Sequence, residues 1–462
     1  MDVAIQLTQD KKEKLIVVLS FTLIFSSMNA TMFNVALPAI STEFSLHASQ
    51  ASWIITSYMI VYAIGAVIYG RLADQFKLKD LLTIGLVFFA VGSIIGFFSA
   101  NYWSIVIGRA LQAMGAAVLP ASSMIIPTRY FNAETRGRAL GMTSAGLAFG
   151  VAIGPIVAGF LTTWLHWKYL FAISLFTIAA IPFYRKYLDD VAGTSSKIDF
   201  LGAFLLALTI AVLLFAISTA SLIYLLAGIT CLALFVIRIK SVKNPFIQPA
   251  LFRNSDYSMA LFIYALGAGI GFALPYLTPL VLIELNHLTA FQTGLYMFPG
   301  ALSAALLAKT GGKIADSRGN SGLTFLAISC FFICFCSLAL MAGAPAYFIT
   351  CFLIFGYVGQ TFFQLAMANT ISQTLPRNQT GVGMGLFMLV NFVASSTATA
   401  IMGTAISKNN ATVYFKSLFF QFESVKYSNI YSVLAIMAVV IALIYSIALR
   451  KKLKEAKSCI ST

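Results

Sequence analysis

Charged residues are scarce in this sequence. Lys, Arg, Asp and Glu make up 10% of the 462 positions, whereas hydrophobic residues make up 60%. A soluble domain has about 25% charged and about 45–50% apolar residues, so a water-soluble core of this length could not bury the excess. The hydrophobic residues form blocks of about 18–26 residues, long enough for a helix to cross about 30 Å of hydrocarbon. This pattern predicts an all-α membrane protein and excludes the soluble classes.

Cysteine and histidine are also rare, with six and three residues. Cys330, Cys334 and Cys336 would lie near one another on a helix, but no histidine or carboxylate accompanies them as in a metal site. Because five of the six cysteines fall inside apolar blocks, we interpret them as small packing residues. The sequence pairs no nucleophile with a base and has no phosphate-binding loop. We therefore expect no metal, no cofactor and no enzymatic activity.

The hydrophobic blocks predict fourteen membrane spans. The first block is too long for a secretory signal and no small-residue cleavage site follows it, so we expect it to be retained. With the N- and C-termini in the cytoplasm, most of the 30 Lys and Arg residues lie in cytoplasmic segments, as the positive-inside rule requires. This asymmetry explains the net charge of +15 without nucleic acid. The predicted spans are residues 15–37, 52–72, 81–100, 102–126, 138–164, 168–184, 199–218, 221–239, 257–283, 290–308, 322–342, 345–368, 380–406 and 429–449.

A short segment of the chain repeats. Residues 70–74, with the sequence GRLAD, follow the second predicted span, and residues 312–316, with the sequence GKIAD, follow the tenth. Two six-span halves with two extra spans between them would place both segments in equivalent cytoplasmic loops, and repeated halves are typical of secondary transporters. We therefore expect an N-terminal six-helix bundle over residues 1–184, two extra helices with linkers over 185–256, and a C-terminal bundle with a tail over 257–462.

Several motifs resemble those of a known family. They are Gly70-x-Leu72-Ala73-Asp74-x-x-x-x-Lys79 after the second span, Arg109-x-x-Gln112-x-x-Gly115 in the fourth, Gly150-x-x-x-Gly154-Pro155-x-x-Ala158-Gly159 in the fifth, and residues 34–38, NVALP, at the end of the first. Together they resemble the major facilitator superfamily and, within it, the fourteen-span drug:proton antiporters. The first half, at residues 107–122 and 128–155, is most similar to the tetracycline exporters of low-GC bacteria.

This resemblance implies a major facilitator fold of fourteen helices, two six-helix bundles plus two central helices. It also implies export of drugs, antibiotics or toxins across a bacterial plasma membrane by a monomer that uses the proton gradient. Asp74, with Arg71 and Lys79, would bridge the two halves on the cytoplasmic side, and Asp316 would be its counterpart. The alternative is that the charges only solvate a tight turn, where a surface ion pair contributes about 0–1 kcal/mol.

Arg109 is the one cation that we place well inside a span. A buried arginine costs about 2.5 kcal/mol or more on insertion scales, so it needs partners or a water-filled cavity. It would attract an anionic group or tune a proton site; the alternative is a structural arginine satisfied by hydroxyls and carbonyls. In the fifth span, Gly150, Gly154 and Gly159 allow a neighbouring backbone to approach and Pro155 bends the helix, which predicts a flexible seam; plain tight packing is the alternative.

Polar and aromatic residues in mid-span are candidates for substrate contact. Each one alone is more often an interhelical hydrogen bond of about 0.6 kcal/mol, but together they fit an apolar pocket with a few polar groups. The predicted set is Asn29, Asn34, Tyr58, Tyr62, Gln112, Tyr264, Tyr276, Gln360, Gln364, Asn391 and Ser395.

The chain departs from the resembled family in its acidic residues. We place all fifteen in loops or at the membrane interface. Many antiporters of this type carry an aspartate at the position of Asn29, and the tetracycline exporters carry glutamates that we match to Ala30, Val151 or its neighbour, and Ser395. A cation at the midplane without a counter-charge would be poorly solvated. We therefore expect a neutral, zwitterionic or anionic amphiphile as substrate.

The sequence thus predicts an exporter of small amphiphilic compounds that works by alternating access. The main alternative is an exporter or flippase of an endogenous lipid or secondary metabolite, without a conventional proton site inside the membrane. Uptake of a nutrient is disfavoured by the Gly-Pro seam of the fifth span.

Overall fold

The computed structural model of the chain describes residues 9–73, 76–131, 133–188, 199–242, 245–375, 380–407 and 424–460. These residues are almost entirely helical and fall into two compact units. Unit 1 comprises Met1–Gln248 with Leu288–Phe298, and unit 2 comprises Pro249–His287 with Pro299–Thr462. The structure groups the two helices predicted as a central insertion with unit 1.

The described residues of unit 1 form ten α-helices and one short 3-10 helix before the chain passes into unit 2. Local sequence sets several of their ends: Asn101, for example, accepts from the backbone N–H of Ser104 over 2.9 Å and caps the start of α4. The helices are α1 Gln9–Glu43, α2 Ala48–Leu72, α3 Leu78–Phe97, α4 Tyr102–Ala116, α5 Val118–Tyr130, α6 Ala133–Trp164, α7 Tyr169–Ser174, the 3-10 helix Leu175–Ala180, α8 Ile181–Tyr187, α9 Phe200–Thr219 and α10 Leu222–Ser241.

Unit 2 begins with a 3-10 helix at Pro249–Arg253, and Asn254 then caps α11 by accepting from the N–H of Tyr257 over 3.1 Å. The helix α12 is interrupted at Gly319, whose φ of 74° lies in the left-handed region that glycine tolerates best. The helices are α11 Ser255–Glu284, α12 Ala290–Leu340, of which the residues up to Phe298 belong to unit 1, α13 Ala346–Gln373, α14 Thr380–Ser407 and α15 Ser424–Ile460.

Twelve helices in the described residues are long and apolar enough to cross a membrane. The predicted count of fourteen is not confirmed. The predicted span 168–184 is divided among α7, the 3-10 helix and α8, so it contains no single long helix. The predicted span 290–308 is helical as the first part of α12, but Gln292 and Thr293 make it less apolar than the second part, Gly319–Leu340, which is among the twelve.

The core of unit 1 is formed by apolar side chains from α1, α3, α5 and α8, of which Leu19, Leu82, Leu119 and Tyr184 are fully or almost fully buried. Large apolar side chains also cover the outside of the helices, as Ile84, Val87, Phe88 and Val91 do on α3. Exposed apolar stripes of this kind are stable in hydrocarbon and not in water.

The hairpin of α9 and α10 joins unit 1 through α9, which packs against α2, where the rings of Trp53 and Phe215 lie 5.8 Å apart. Its base is fixed by Asp199, which is 4% exposed. Asp199 Oδ1 accepts from the N–H of Gly202 at the start of α9 over 3.0 Å and from Arg238 Nε of α10 over 3.1 Å. Oδ2 accepts from the N–H of Phe246, three residues before unit 2 begins, over 3.3 Å. One carboxylate therefore joins both hairpin helices to the connecting segment.

Candidate functional site

Arg109 is fully buried in unit 1, where neutral groups accept its N–H donors. Its Nη1 donates to Asn29 Oδ1 of α1 over 2.6 Å and to Gln112 Oε1 of α4 over 3.0 Å. Its Nε donates to the carbonyl of Ile54 in α2 over 3.4 Å. Gln112 lies one turn beyond Arg109 on the same helix, as the i,i+3 spacing of the motif requires. The arginine therefore ties α4 to α1 and α2.

Two aromatic rings cover the guanidinium of Arg109. Its Cζ lies 4.0 Å from the ring centroid of Phe33 and 4.0 Å from that of Tyr58. Phe33 is one turn after Asn29 on α1, so a single helix supplies both a hydrogen-bond acceptor and a ring. The planar, weakly hydrated guanidinium suits such stacking better than an ammonium would. Tyr58 in turn stacks on Tyr62, with ring centroids 5.7 Å apart.

The amide partners of Arg109 are held by hydroxyls. Asn29 Nδ2 donates to Ser174 Oγ over 2.7 Å, and Gln112 Nε2 donates to Ser93 Oγ over 2.8 Å. Each serine then donates to a carbonyl of its own helix. Each amide thus gives its oxygen to the cation and its N–H₂ to a hydroxyl, which fixes its orientation.

The charge of Arg109 is therefore dispersed over amides, one carbonyl and two rings, and no carboxylate of the described residues contacts it. In this conformation its exposed fraction is 0%, so it reaches a substrate only if the surrounding helices move. This geometry corresponds to the structural alternative for Arg109. The network also includes Phe33, Ser93 and Ser174, which the sequence did not single out because such residues are ordinary in apolar helices.

The fifth-span motif lies on α6 and packs against two different partners. Gly150 faces α1, where a Cβ would clash with Ser27 Oγ and the carbonyl of Ile24, and a Cβ on Gly154 would clash with Thr31 Oγ1. Both hydroxyls are turned back onto carbonyls of α1. The two glycines, one turn apart, therefore allow α1 and α6 to touch along their backbones.

The end of the same motif packs against residues 288–298, the beginning of α12, which belong to unit 1. A Cβ on Gly159 would clash with the carbonyl of Ala290, and a Cβ on Gly294 would clash with the carbonyl of Pro155. Phe291 donates its backbone N–H to Thr163 Oγ1 over 3.1 Å, and its ring lies 4.7 Å from that of Trp164. The motif is thus a backbone-to-backbone seam on both sides of Pro155.

The two repeated segments, residues 70–74 and 312–316, are only partly described. Asp74 lies outside the described residues, and for Arg71 and Asp316 only the backbone is described, at the end of α2 and within α12. Lys79 is partly exposed in the first turn of α3. The gate that we expect at these residues stays a prediction.

The predicted polar residues of unit 2 lie on α11, α13 and α14. Tyr264 Oη donates to Asn391 Oδ1 over 2.8 Å, and Ser395 Oγ, one turn further along α14, donates to the carbonyl of Asn391 over 2.8 Å. Gln360 is partly buried and Gln364 is exposed, one turn apart on α13.

Two further predicted residues are buried. Asn34 of α1 is 2% exposed and Tyr276 of α11 is fully buried. Within the described part of the chain, neither Asn34 Oδ1 nor Tyr276 Oη has a hydrogen-bond partner. Neither side chain is available to a substrate in this conformation.

Comparison with known proteins identifies the family of this chain. The protein-family model described as Major Facilitator Superfamily matches residues 19–399. The riboflavin transporter RibZ of Clostridioides difficile (strain 630) is 26% identical over 402 residues, which are 85% of this chain and 88% of that protein. The methylenomycin A resistance protein of Bacillus subtilis (strain 168) is 27% identical over 298 residues, 62% of this chain and 63% of that protein.

Among solved structures, the nucleoside transporter NupG resembles this fold with a TM-score of 0.67 at 12% sequence identity. The alignment covers 96% of this chain and 99% of that one. At so low an identity the likeness concerns the fold alone.

Proposed function

The chain belongs to the major facilitator superfamily and is a membrane transporter, and on this premise we propose that it exports small amphiphilic compounds. The observation that carries the proposal is the seam of α6, in which Gly150 and Gly154 meet α1 while Pro155 and Gly159 meet residues 290–294. A helix packed through glycines on both sides of a proline can bend and slide with little side-chain rearrangement, as alternating access requires. The methylenomycin A resistance protein among the relatives supports export of toxic compounds.

We further propose that the substrate is neutral, zwitterionic or anionic. The described interior of unit 1 contains a buried arginine without a carboxylate partner. A cation entering such an interior would lose hydration and gain no counter-charge. With no acidic residue in mid-span, we assign proton coupling to Asp74 near the cytoplasmic interface or to a proton that the substrate itself carries.

The proposed topology has fourteen spans, with both termini in the cytoplasm of a bacterial cell and a monomer as the working unit. This topology requires that the predicted span 168–184 crosses the membrane. With this span in the membrane, residues 189–198 are cytoplasmic; without it they are external. A single cysteine at Ser195 in a cysteine-free protein, labelled in intact cells with a membrane-impermeant maleimide, should remain unlabelled until the cells are opened. Labelling in intact cells would contradict the fourteen-span topology.

A second candidate is transport of a nutrient such as riboflavin, which the relative from Clostridioides difficile favours by covering most of both chains. A third is export or flipping of an endogenous lipid or metabolite, which is compatible with the same fold and with the same buried arginine without a carboxylate partner. Direction of transport separates the first two, and accumulation of a cellular product after gene deletion identifies the third.

The proposal is tested in a bacterial host that lacks its own major efflux pumps. Expression should raise tolerance to several unrelated neutral or anionic amphiphiles, and Gly150→Ala, whose Cβ would meet the backbone of α1, should abolish the effect at equal membrane abundance. Proteoliposomes with and without a pH gradient then test the coupling. Unchanged tolerance across a broad panel would refute export, and equal rates with and without the gradient would refute proton antiport.

A further inference from the structure

Asn391 of α14 is held in one orientation by Tyr264 of α11. Tyr264 is 1% exposed, and its ring stacks against Phe387 with centroids 4.0 Å apart and lies parallel to Phe363 at 6.2 Å. With the ring fixed, its hydroxyl donates to Asn391 Oδ1 over 2.8 Å. The amide oxygen of Asn391 therefore already accepts a hydrogen bond, and the two N–H donors of Nδ2 remain available for another partner.

These donors have no acceptor among the residues that the structure describes, and the Asn391 side chain is partly exposed. An amide inside an apolar helix bundle normally uses its donors, because an unpaired polar group in hydrocarbon is costly. An open amide whose oxygen is already engaged is thus prepared to donate to an incoming acceptor.

Two further amides without a described partner lie on the neighbouring helix α13. Gln360 lies beside Gly271 of α11, where a Cβ would stand 3.1 Å from Gln360 Cγ, and Gln364 is one turn away. Gly271 is seven residues beyond Tyr264, which is about 10.5 Å along a helix.

The charged groups of α11 are remote from these amides. Asp256 and Glu284 lie at opposite ends of the helix, and Glu284 is engaged by Lys426 over 2.7 Å and by Tyr427 over 2.8 Å. The described surroundings of Asn391 on α11 and α13 therefore offer neutral hydrogen bonding and aromatic rings.

We propose that Tyr264 is a positioning residue that presents the N–H donors of Asn391 to the transported compound. The preferred compound is then a small aromatic or amphiphilic molecule with a carbonyl or anionic oxygen, and a permanent cation is disfavoured. This inference rests on the proposed transport of amphiphiles and adds the group that selects them.

The alternative role for the Tyr264–Asn391 bond is to join α11 to α14, and the chain contains a matched example of such a bond. Tyr257, two turns earlier on α11 and also fully buried, donates its hydroxyl to the carbonyl of Gly383 in α14 over 2.8 Å. Tyr257→Phe therefore removes the same atom, between the same two helices, without freeing an amide. It is the control for Tyr264→Phe.

The experiment measures uptake by inverted vesicles and ligand-induced thermal shifts of the purified full chain. The probes are riboflavin, a neutral heteroaromatic with carbonyl oxygens, and ethidium, a permanent aromatic cation. Tyr264→Phe should raise the KM for riboflavin about five-fold, the ratio for losing roughly one hydrogen bond, with kcat unchanged, whereas Tyr257→Phe should leave the KM unchanged. Asn391→Asp, which replaces the donors by a negative acceptor, should lower affinity for riboflavin and raise it for ethidium.

The outcomes separate the two levels of the proposal. If the wild type transports riboflavin but Tyr264→Phe and Tyr257→Phe have the same KM, the positioning role is refuted while the transporter function stands. The positioning role is also refuted if Asn391→Asp, shown to be folded by size-exclusion chromatography, has the same relative affinity for riboflavin and ethidium as the wild type. If the wild type neither binds nor transports either probe, both the inference and the proposed substrate range are refuted.

Discussion

Asn29 of α1 accepts a 2.6 Å hydrogen bond from Arg109 of α4, which lies 80 positions further along the chain. The same amide donates to Ser174 over 2.7 Å, so it stands between a buried cation and a hydroxyl. The guanidinium is thus met by neutral amides and two aromatic rings, and no carboxylate of the described residues contacts it.

Removing this amide should destabilise unit 1. Asn29→Leu leaves Arg109 with one acceptor fewer and Ser174 without its donor, so we expect the free energy of unfolding to fall by about 1–3 kcal/mol. Asn29→Asp keeps an acceptor at the same place and should be more stable than Asn29→Leu. Thermal unfolding of the purified variants in detergent measures both. Equal stability of the two would show that the acceptor does not matter.

The shape of the cation at position 109 should matter as much as its charge. The single nitrogen of a lysine cannot stand both where Nη1 donates to Asn29 and Gln112 and where Nε donates to the carbonyl of Ile54. Its ammonium also lacks the planar face that stacks on aromatic rings such as those of Phe33 and Tyr58. We expect Arg109→Lys to lose about 2 kcal/mol or more of stability, since a buried charge is left without its partners. If Arg109→Lys unfolds at the wild-type temperature, the contacts specific to the guanidinium do not contribute to the stability of the protein.

Alanine at Gly150 should be harmful and alanine at Gly141, nine residues earlier on α6, should not. A Cβ on Gly150 meets the backbone of α1, whereas one on Gly141 meets nothing within 4 Å. We expect Gly150→Ala to cost about 1–3 kcal/mol through overpacking, and Gly141→Ala to be neutral or slightly stabilising because alanine favours helix. Thermal stability and transport activity of the two variants test this on one helix.

The seam also predicts which clash can be relieved. Gly154→Ala mainly meets the side chain of Thr31, so Thr31→Ala should rescue it. Gly150→Ala also meets the carbonyl of Ile24, which Ser27→Ala leaves in place. Two double-mutant cycles in thermal unfolding should therefore give strong coupling for residues 31 and 154 and weak coupling for residues 27 and 150. The reverse order would contradict this packing of α6 on α1.

Asp199 should stabilise the hairpin of α9 and α10. Asp199→Ala removes the cap of α9, worth about 1 kcal/mol, and also frees Arg238 and the N–H of Phe246. Hydrogen exchange should increase at the start of α9 and at residues 245–248. Arg238→Gln should have a smaller effect, because the arginine side chain is 36% exposed and keeps its access to water. Unchanged exchange in Asp199→Ala would show that the hairpin is held by the packing of α9 on α2 without a contribution from Asp199.

Much of the architecture could be predicted from the sequence. Long apolar runs and the scarcity of charge indicate membrane helices, because only a helix satisfies its own backbone in hydrocarbon. The motifs in the first, second, fourth and fifth spans indicated the superfamily. The number of spans was harder to predict. The segment at 168–184 contains a 3-10 helix, and the segment at 290–308 contains polar residues. Neither feature greatly changes the number of apolar residues in its segment, so a prediction from hydrophobicity counts both as spans.

The candidate site, too, could be predicted only in part from the sequence. The sequence indicated Arg109 as a buried cation, and Asn29, Gln112 and Tyr58 as polar residues in mid-span. It did not indicate that all four lie together, or that the ring of Phe33 also contacts the guanidinium. For unit 2 it indicated Tyr264 and Asn391 separately, while their hydrogen bond joins residues 127 positions apart.

By itself, the sequence determined that the helices of this protein lie in a membrane and not in water, because the contributions of hydrophobic and charged residues add up along each segment. It also determined where arginine and glycine interrupt the apolar helices. Tertiary structure alone decided what those interruptions contact: rings and amides for Arg109, the backbone of α1 for Gly150, and residues 290–294 for Pro155 and Gly159. Such contacts depend on how helices distant in sequence pack, and helical periodicity fixes only the face on which each residue lies.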